Sequence, residues 1–324
     1  MIYVERSGFN RPYNYLNDIE LKPLAVNQSA LAMGICKVGK KNIWDFFRGG
    51  LFRIFEIAAK TLAVYAYTDI SAGKLVMSEY FTSLDATERA NYSYHMGMGI
   101  AQIIASENLK TPWLRHISPL IKDGTVQLIP GSKSQPDLLG FDLIDYHIIE
   151  AKGRQKYSEV ALRKAKNQST KVGSVNGLPP ATHCASLAVL KRRRIEVYFQ
   201  DPDSDGKKKS DKSIQLKVDR QRFMKNYYLR FSELFDYGKR ERLISDGLTF
   251  ITVEIWPGFQ VGVYEPLLPV INFTEEDDYE KCLDICTDLQ EKVTDKMATS
   301  FGSDGIGFFI SSVPDHSANP YAKS

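Results

Sequence analysis

The sequence predicts a mixed α/β fold. Three observations carry that prediction: three consecutive strand-like runs between residues 113 and 153, a capped helix on either side of them, and an apolar run at 184–190 that reads as a buried strand. The expected order is helix, three strands, helix, strand. The chain divides into a helix-rich region over 1–82, this core over 83–191, and a basic strand and helix extension over 192–324 that ends in an acidic helix.

In the first region, "NIWDFFRGGLFRIFEIAAKTLAVYAY" carries apolar residues at helical spacing, with Gly49-Gly50 as the break. Its most apolar part, 51–67, is interrupted by Arg53, Glu56 and Lys60, so it suits a buried amphipathic helix better than a membrane span. "MIYVERSGFNRPYNYL" lacks the charged start and apolar run of a signal peptide.

The core opens at Asp85, which with Glu88 fits a capping box. That helix runs through "ANYSYHMGMGIAQIIASEN" and stops before Pro112. "WLRHISPLI", "PDLLGFDLI" and "DYHIIEAKG" follow as strands, "SEVALRKAKNQSTKV" as a helix capped by Ser158, and "CASLAVL" as the last strand. In the extension, residues 201–213 have the composition of a loop between strands. A long helix is expected over about 219–244. "LTFITVEIWPGFQVGVYEP" reads as a hairpin turning at Pro257-Gly258, and residues 275–297 as an acidic amphipathic helix. The last residues read as a frayed end.

With 324 residues, 43% of them hydrophobic, the chain can bury a large core. The net charge is only +3, but its distribution is uneven. Residues 150–242 hold 23 Lys or Arg against 11 Asp or Glu, a net of +12, whereas 274–304 carry a net of −7. The asymmetry predicts a basic working surface and an acidic segment, with solvated faces as the plain alternative. Cys36, Cys184, Cys282 and Cys286 show no zinc-site spacing, which predicts reduced thiols in a cytoplasmic protein.

The chemistry concentrates in "QPDLLGFDLIDYHIIEAKGR", residues 135–154. Strand side chains alternate faces, so Glu150 and Lys152 point the same way while Ile149 and Ala151 point into the other layer. Asp137 lies thirteen residues before Glu150 on the preceding strand, and antiparallel pairing brings the two carboxylates together. Two carboxylates and the Ala151 carbonyl offer hard oxygen ligands for Mg²⁺ or Mn²⁺, and Lys152 offers a point charge. The plain alternative is a hairpin with a surface ion pair, which contributes little.

Pro136-Asp137 followed by Glu150-Ala151-Lys152 resembles the PD-(D/E)xK nuclease superfamily, over about residues 84–191. The resemblance implies a restriction-endonuclease-like core of helix, three antiparallel strands, helix and strand. It implies Asp137 and Glu150 as metal ligands and Lys152 as the catalytic lysine. On the following helix, Gln168 shares a face with Ala161 and Ala165, and several branches of the superfamily place a water-orienting or substrate-orienting polar residue there. Gln168 has either that role or a boundary role in packing, and Lys164, one turn earlier, is a second candidate. Many members also carry a metal-reaching glutamate on the first helix. This chain has Gln102 near that place, with Glu88 and Glu107 near the helix ends, so the third ligand departs from the pattern. His147 faces away from Glu150 and reads as an ordinary strand histidine; His95 and His116 carry no assignment.

A nuclease must hold a polyanion. Lys191, Arg192, Arg193 and Arg194 follow the last core strand, and Lys164 and the cluster at 206–212 add to them. Tyr227 and Tyr228 are either base-stacking residues or core residues. The leading expectation is a metal-dependent endonuclease acting on nucleic acid, DNA more than RNA. The rival is an inactive nucleic-acid-binding or scaffold subunit, and a third class is a hydrolase of small phosphate esters. A standalone domain of this type is similar to effectors of bacterial defence or restriction systems, which implies a regulatory or motor protein partner. A homo-oligomer fits nucleases that cut both strands, and no membrane association is expected.

Overall fold

The structure is a computed structural model that describes residues 1–39, 51–129, 135–201, 213–293 and 300–310. The Gly49-Gly50 break, the basic cluster at 206–212 and the frayed end fall outside the described residues.

The chain begins with β1 (Ile2–Ser7), β2 (Asp18–Leu24), α1 (Gln28–Val38) and α2 (Leu51–Tyr67). A small hairpin follows, β3 (Thr68–Ser71) and β4 (Lys74–Met77), then α3 (Glu79–Ser83) and α4 (Ala86–Leu109). Next come β5 (Trp113–His116), α5 (Ile117–Lys122), β6 (Val126–Ile129), β7 (Leu138–Phe141) and β8 (Tyr146–Arg154). The core closes with α6 (Glu159–Ser169), β9 (Val172–Val175), β10 (Thr182–Leu190) and β11 (Ile195–Gln200). The remainder is β12 (Ile214–Val218), α7 (Arg220–Ser232), β13 (Arg240–Ser245), β14 (Leu248–Trp256), β15 (Phe259–Tyr264), α8 (Asp278–Val293) and β16 (Ile306–Ile310).

The fold is mixed α/β. Its centre is a seven-stranded sheet in the order β2-β1-β11-β10-β8-β7-β5. Strand β7 lies antiparallel between β5 and β8, and β10 lies parallel to β8. The flanking helices take opposite faces. On one face, α4 crosses β8 so closely that a Cβ on Gly153 would overlap the Ser93 carbonyl. On the other, Leu162 and Ala165 of α6 pack on Ala185, Leu187 and Val189 of β10. The Asp85 carboxylate caps α4 by accepting from the Thr87 and Glu88 N–H groups, and Ser158 caps α6 through the Ala161 N–H.

Four features differ from the sequence expectation. The N-terminal region holds strands beside its helices: Ile2 and Val4 are buried in β1, which joins the central sheet parallel to β11. The run 113–121 is strand only to His116 and then turns into α5, whose first turn accommodates Pro119 because the N–H groups there have no intrahelical partner. The helix expected over 219–244 ends at Ser232; past Gly238 the alternating "RERLIS" pairs with β14 instead. Strands β6, β12 and β9 form a small second sheet that the sequence reading did not contain. The hairpin of β14 and β15 turns at Pro257-Gly258, where Gly258 takes φ +81°, as a type II turn needs. The β13-β14-β15-β16 sheet packs on α1 and α2. Lys37 of α1 pairs there with Asp304, fully buried, at 2.6 Å.

Among the described residues, no helix is long and apolar enough to cross a membrane. All four cysteines are buried thiols outside any disulfide.

Candidate active site

The hairpin of β7 and β8 sets the geometry. Its register runs from Phe141↔Tyr146 to Leu138↔Ile149, so β8 continues past the end of β7 with residues 150–154. Asp137 stands immediately before β7, opposite Glu150. Its N–H donates to Glu150 Oε2 at 2.9 Å, and its carbonyl accepts from Ile117. The Asp137 backbone is therefore fixed from both sides.

Lys152 closes the cluster. Its ammonium donates to Glu150 Oε1 and lies 3.5 Å from Asp137 Oδ2. The side chains of Glu150 and Asp137 are 0% and 7% exposed, whereas that of Lys152 is 31% exposed and is the member open to solvent. Burial pushes the Glu150 carboxyl up to about 7, and the charge of Asp137 adds to the shift against the opposing pull of Lys152. For Lys152, burial works against the charged form, but the two carboxylates outweigh it and the pKa is raised. Glu150 is thus poised to exchange a proton near neutrality while Lys152 keeps its own.

Asp137 and Glu150 are the side chains that could hold a divalent cation, with the Ala151 carbonyl as a backbone donor. Among the described residues no further His, Cys, Asp or Glu joins them in a three-ligand group. Neither Glu88 nor Glu107 enters the cluster, and Gln102 is buried with its amide donating to the Pro112 carbonyl at 2.7 Å.

On the opposite face of the sheet, α4 carries Tyr94, which feels the charges of this cluster and which the sequence reading did not single out. Burial raises its hydroxyl pKa, and the negative charges of Asp137 and Glu150 raise it further. Its ring stacks on His116 at 6.3 Å, and its buried hydroxyl has no hydrogen-bond partner among the described residues. The signal for it was the small-residue pattern "GMG" on α4 together with Gly153, which lets the helix approach β8.

The remaining expected residues are distributed as follows. Gln168 is half-buried and donates to the Gln135 carbonyl at 2.7 Å, bracing the chain just before Pro136-Asp137. Lys164 is exposed on the same helix. Lys191 and Arg194 pair with Glu196, and Arg192 pairs with Glu79. Tyr227 and Tyr228 are fully buried, so the base-stacking role is excluded for them: Tyr227 donates to Asp304, and Tyr228 to the Asp304 carbonyl. His147 is buried between Asp142 and Thr182, each at 3.0 Å, on the face away from Glu150.

No known protein family, no curated protein and no solved structure matches this chain.

Proposed function

We propose that the protein is a metal-dependent nuclease with a PD-(D/E)xK site on a restriction-endonuclease-like core. The single observation that carries this reading is the Asp137–Glu150–Lys152 cluster at the free end of β8. The order of α4, antiparallel β5, β7 and β8, then α6 and parallel β10, supports it.

The donor set suits a hard divalent cation. Two carboxylates that already converge on one ammonium, with no thiolate or imidazole among them, favour Mg²⁺ or Mn²⁺ over zinc. Asp137, Glu150 and the Ala151 carbonyl would hold it. When bound, such an ion acidifies water and neutralises charge on a phosphodiester.

The rest of the chemistry belongs to the chain. Glu150 sheds its proton near neutral pH and becomes a full carboxylate. Lys152 stays protonated between the two acids and, as the solvent-open member, presents its charge to the non-bridging oxygens of the phosphate. Gln168 keeps Gln135 in place and thereby positions Asp137. DNA is the favoured substrate and RNA the alternative. By analogy with effectors of bacterial defence or restriction, the enzyme would be silenced by a protein partner.

The test is cleavage of plasmid, linear and single-stranded DNA and of RNA, with Mg²⁺, Mn²⁺ or EDTA. Wild type is expected to cut in a metal-dependent way, and Lys152→Ala to lose that activity while remaining folded. Equal cutting by both proteins would overturn the reading.

One observation favours a second reading, that of an inactive nucleic-acid-binding or scaffold subunit. Glu150 is closed off by Lys152 and the Asp137 N–H, and no third acidic ligand joins the pair among the described residues. Calorimetric titration with Mn²⁺ separates the two: absence of binding at pH 8 supports the scaffold.

A further inference from the structure

The basic block of this chain splits into cations that the fold uses and cations that it leaves available. Lys191 Nζ and Arg194 Nε each lie 2.7 Å from a carboxylate oxygen of Glu196, whose side chain is only 5% exposed. Arg194 also covers the Tyr3 ring at 5.3 Å, and Arg192 is paired with Glu79. Three of the four residues at 191–194 are therefore balanced by carboxylates, and two of them neutralise a nearly buried one.

Arg154 and Lys164 differ. Both are exposed, and neither makes an ion pair with any described residue. Their positions relative to the cluster follow from register. Arg154 lies two residues beyond Lys152 on β8, on the same face, and pairs in register with Val189 as Lys152 does with Leu187. That spacing is roughly 6–7 Å along the strand. Lys164 lies one helical turn before Gln168, whose amide reaches the Gln135 carbonyl two residues ahead of Asp137. The Lys164 flank of α6 thus borders the other side of the cluster. The opposite flank faces away: Lys166 feels the charge of Glu5 on β1.

We infer that Arg154 and Lys164 bind the phosphates on either side of the one presented to Lys152, so that a nucleic-acid backbone runs from α6 across the end of β8. The inference rests on the nuclease reading for its substrate class, but binding is measured without catalysis.

The experiment is fluorescence anisotropy with a short labelled DNA duplex, the matching single strand and the matching RNA, in EDTA over a range of salt. Three proteins are compared: wild type, Arg154→Gln with Lys164→Gln, and a control carrying Arg163→Gln with Lys166→Gln, which removes the same charge from the outer and far flank of α6. For the first double variant, affinity is expected to fall about tenfold and the salt dependence by about two phosphate contacts. The control should keep the wild-type slope. Equal losses in both variants, or none in the first, would overturn the phosphate track and leave the nuclease reading standing. No binding of any nucleic acid by wild type would overturn both. Thermal unfolding of each variant guards against misfolding as the cause.

Discussion

The backbone N–H of Asp137 donates to the carboxylate of Glu150 at 2.9 Å, so one acidic residue holds the other in place through its main chain. The Asp137 carboxylate stays directed at Lys152, and the buried Glu150 carboxylate is held by two donors. The cluster is preorganised, and its weak point is the charge on Glu150.

Glu150 therefore makes stability pH-dependent. Its carboxyl titrates near 4.5 in the unfolded chain and near 7 in the folded one, because burial and then Asp137 oppose its charge. The folded state holds the proton more tightly, so stability falls as pH rises from about 4.5 to about 7 and is level above that window. Urea unfolding of the metal-free protein should show wild type losing on the order of 3 kcal/mol across the window. Glu150→Gln, which retains an acceptor for the Asp137 N–H, should flatten the profile. A variant profile as steep as that of wild type would place the titration elsewhere.

Cation binding should be linked to the same proton. A divalent ion takes the carboxylate form, so its affinity should rise about tenfold per pH unit below about 7 and level off above. Calorimetry in buffers of different ionisation enthalpy should find about one proton released at pH 6 and almost none at pH 8. Proton release independent of pH would count against Glu150 as a ligand.

Gly153→Ala tests how the helix seats the cluster. The new methyl group would meet the Ser93 carbonyl of α4, which must move. The expected cost is about 1–3 kcal/mol, as in other overpacked contacts. Because Gly153 adjoins Lys152 on β8, cleavage should fall further than the lost stability explains. An unchanged melting temperature would mean that the α4 seam is looser than described.

The buried Lys37–Asp304 pair predicts strong non-additivity. Lys37→Met or Asp304→Asn alone should cost about 3–5 kcal/mol, since each leaves a charged or polar partner in a dry site. The double variant should cost clearly less than the two together, measured by a double-mutant cycle in urea. Additive losses would show that the pair is not coupled.

Much of the cluster was legible because it depends on local rules. Glu150 and Lys152 share a face by strand alternation, and the short connection at Asp142–Asp145 fixes the register that sets Asp137 opposite Glu150. The caps at Asp85 and Ser158 were equally local. Tyr94 was not legible: its place depends on how α4 crosses β8, which Gly97 and Gly153 set through a contact between residues far apart in the chain. Tyr227 and Tyr228, beside Lys225 and Arg230, read equally as base-stacking or core residues, and what decides for the core is Asp304, some eighty residues further on, which their hydroxyls serve. The strand β13 was hidden inside a helical reading because its partner β14 supplies the hydrogen bonds that decide the conformation.

The position of β1 has a consequence for synthesis. Its residues Tyr3 to Ser7 pair with Glu196 to Gln200, strand against strand in parallel. During translation these early residues emerge long before their neighbour exists, and the loop that must close is nearly two hundred residues long. The β1–β2 hairpin spends that interval with one edge of β1 bare, so the nascent chain is exposed to wrong pairings until the ribosome has delivered β11.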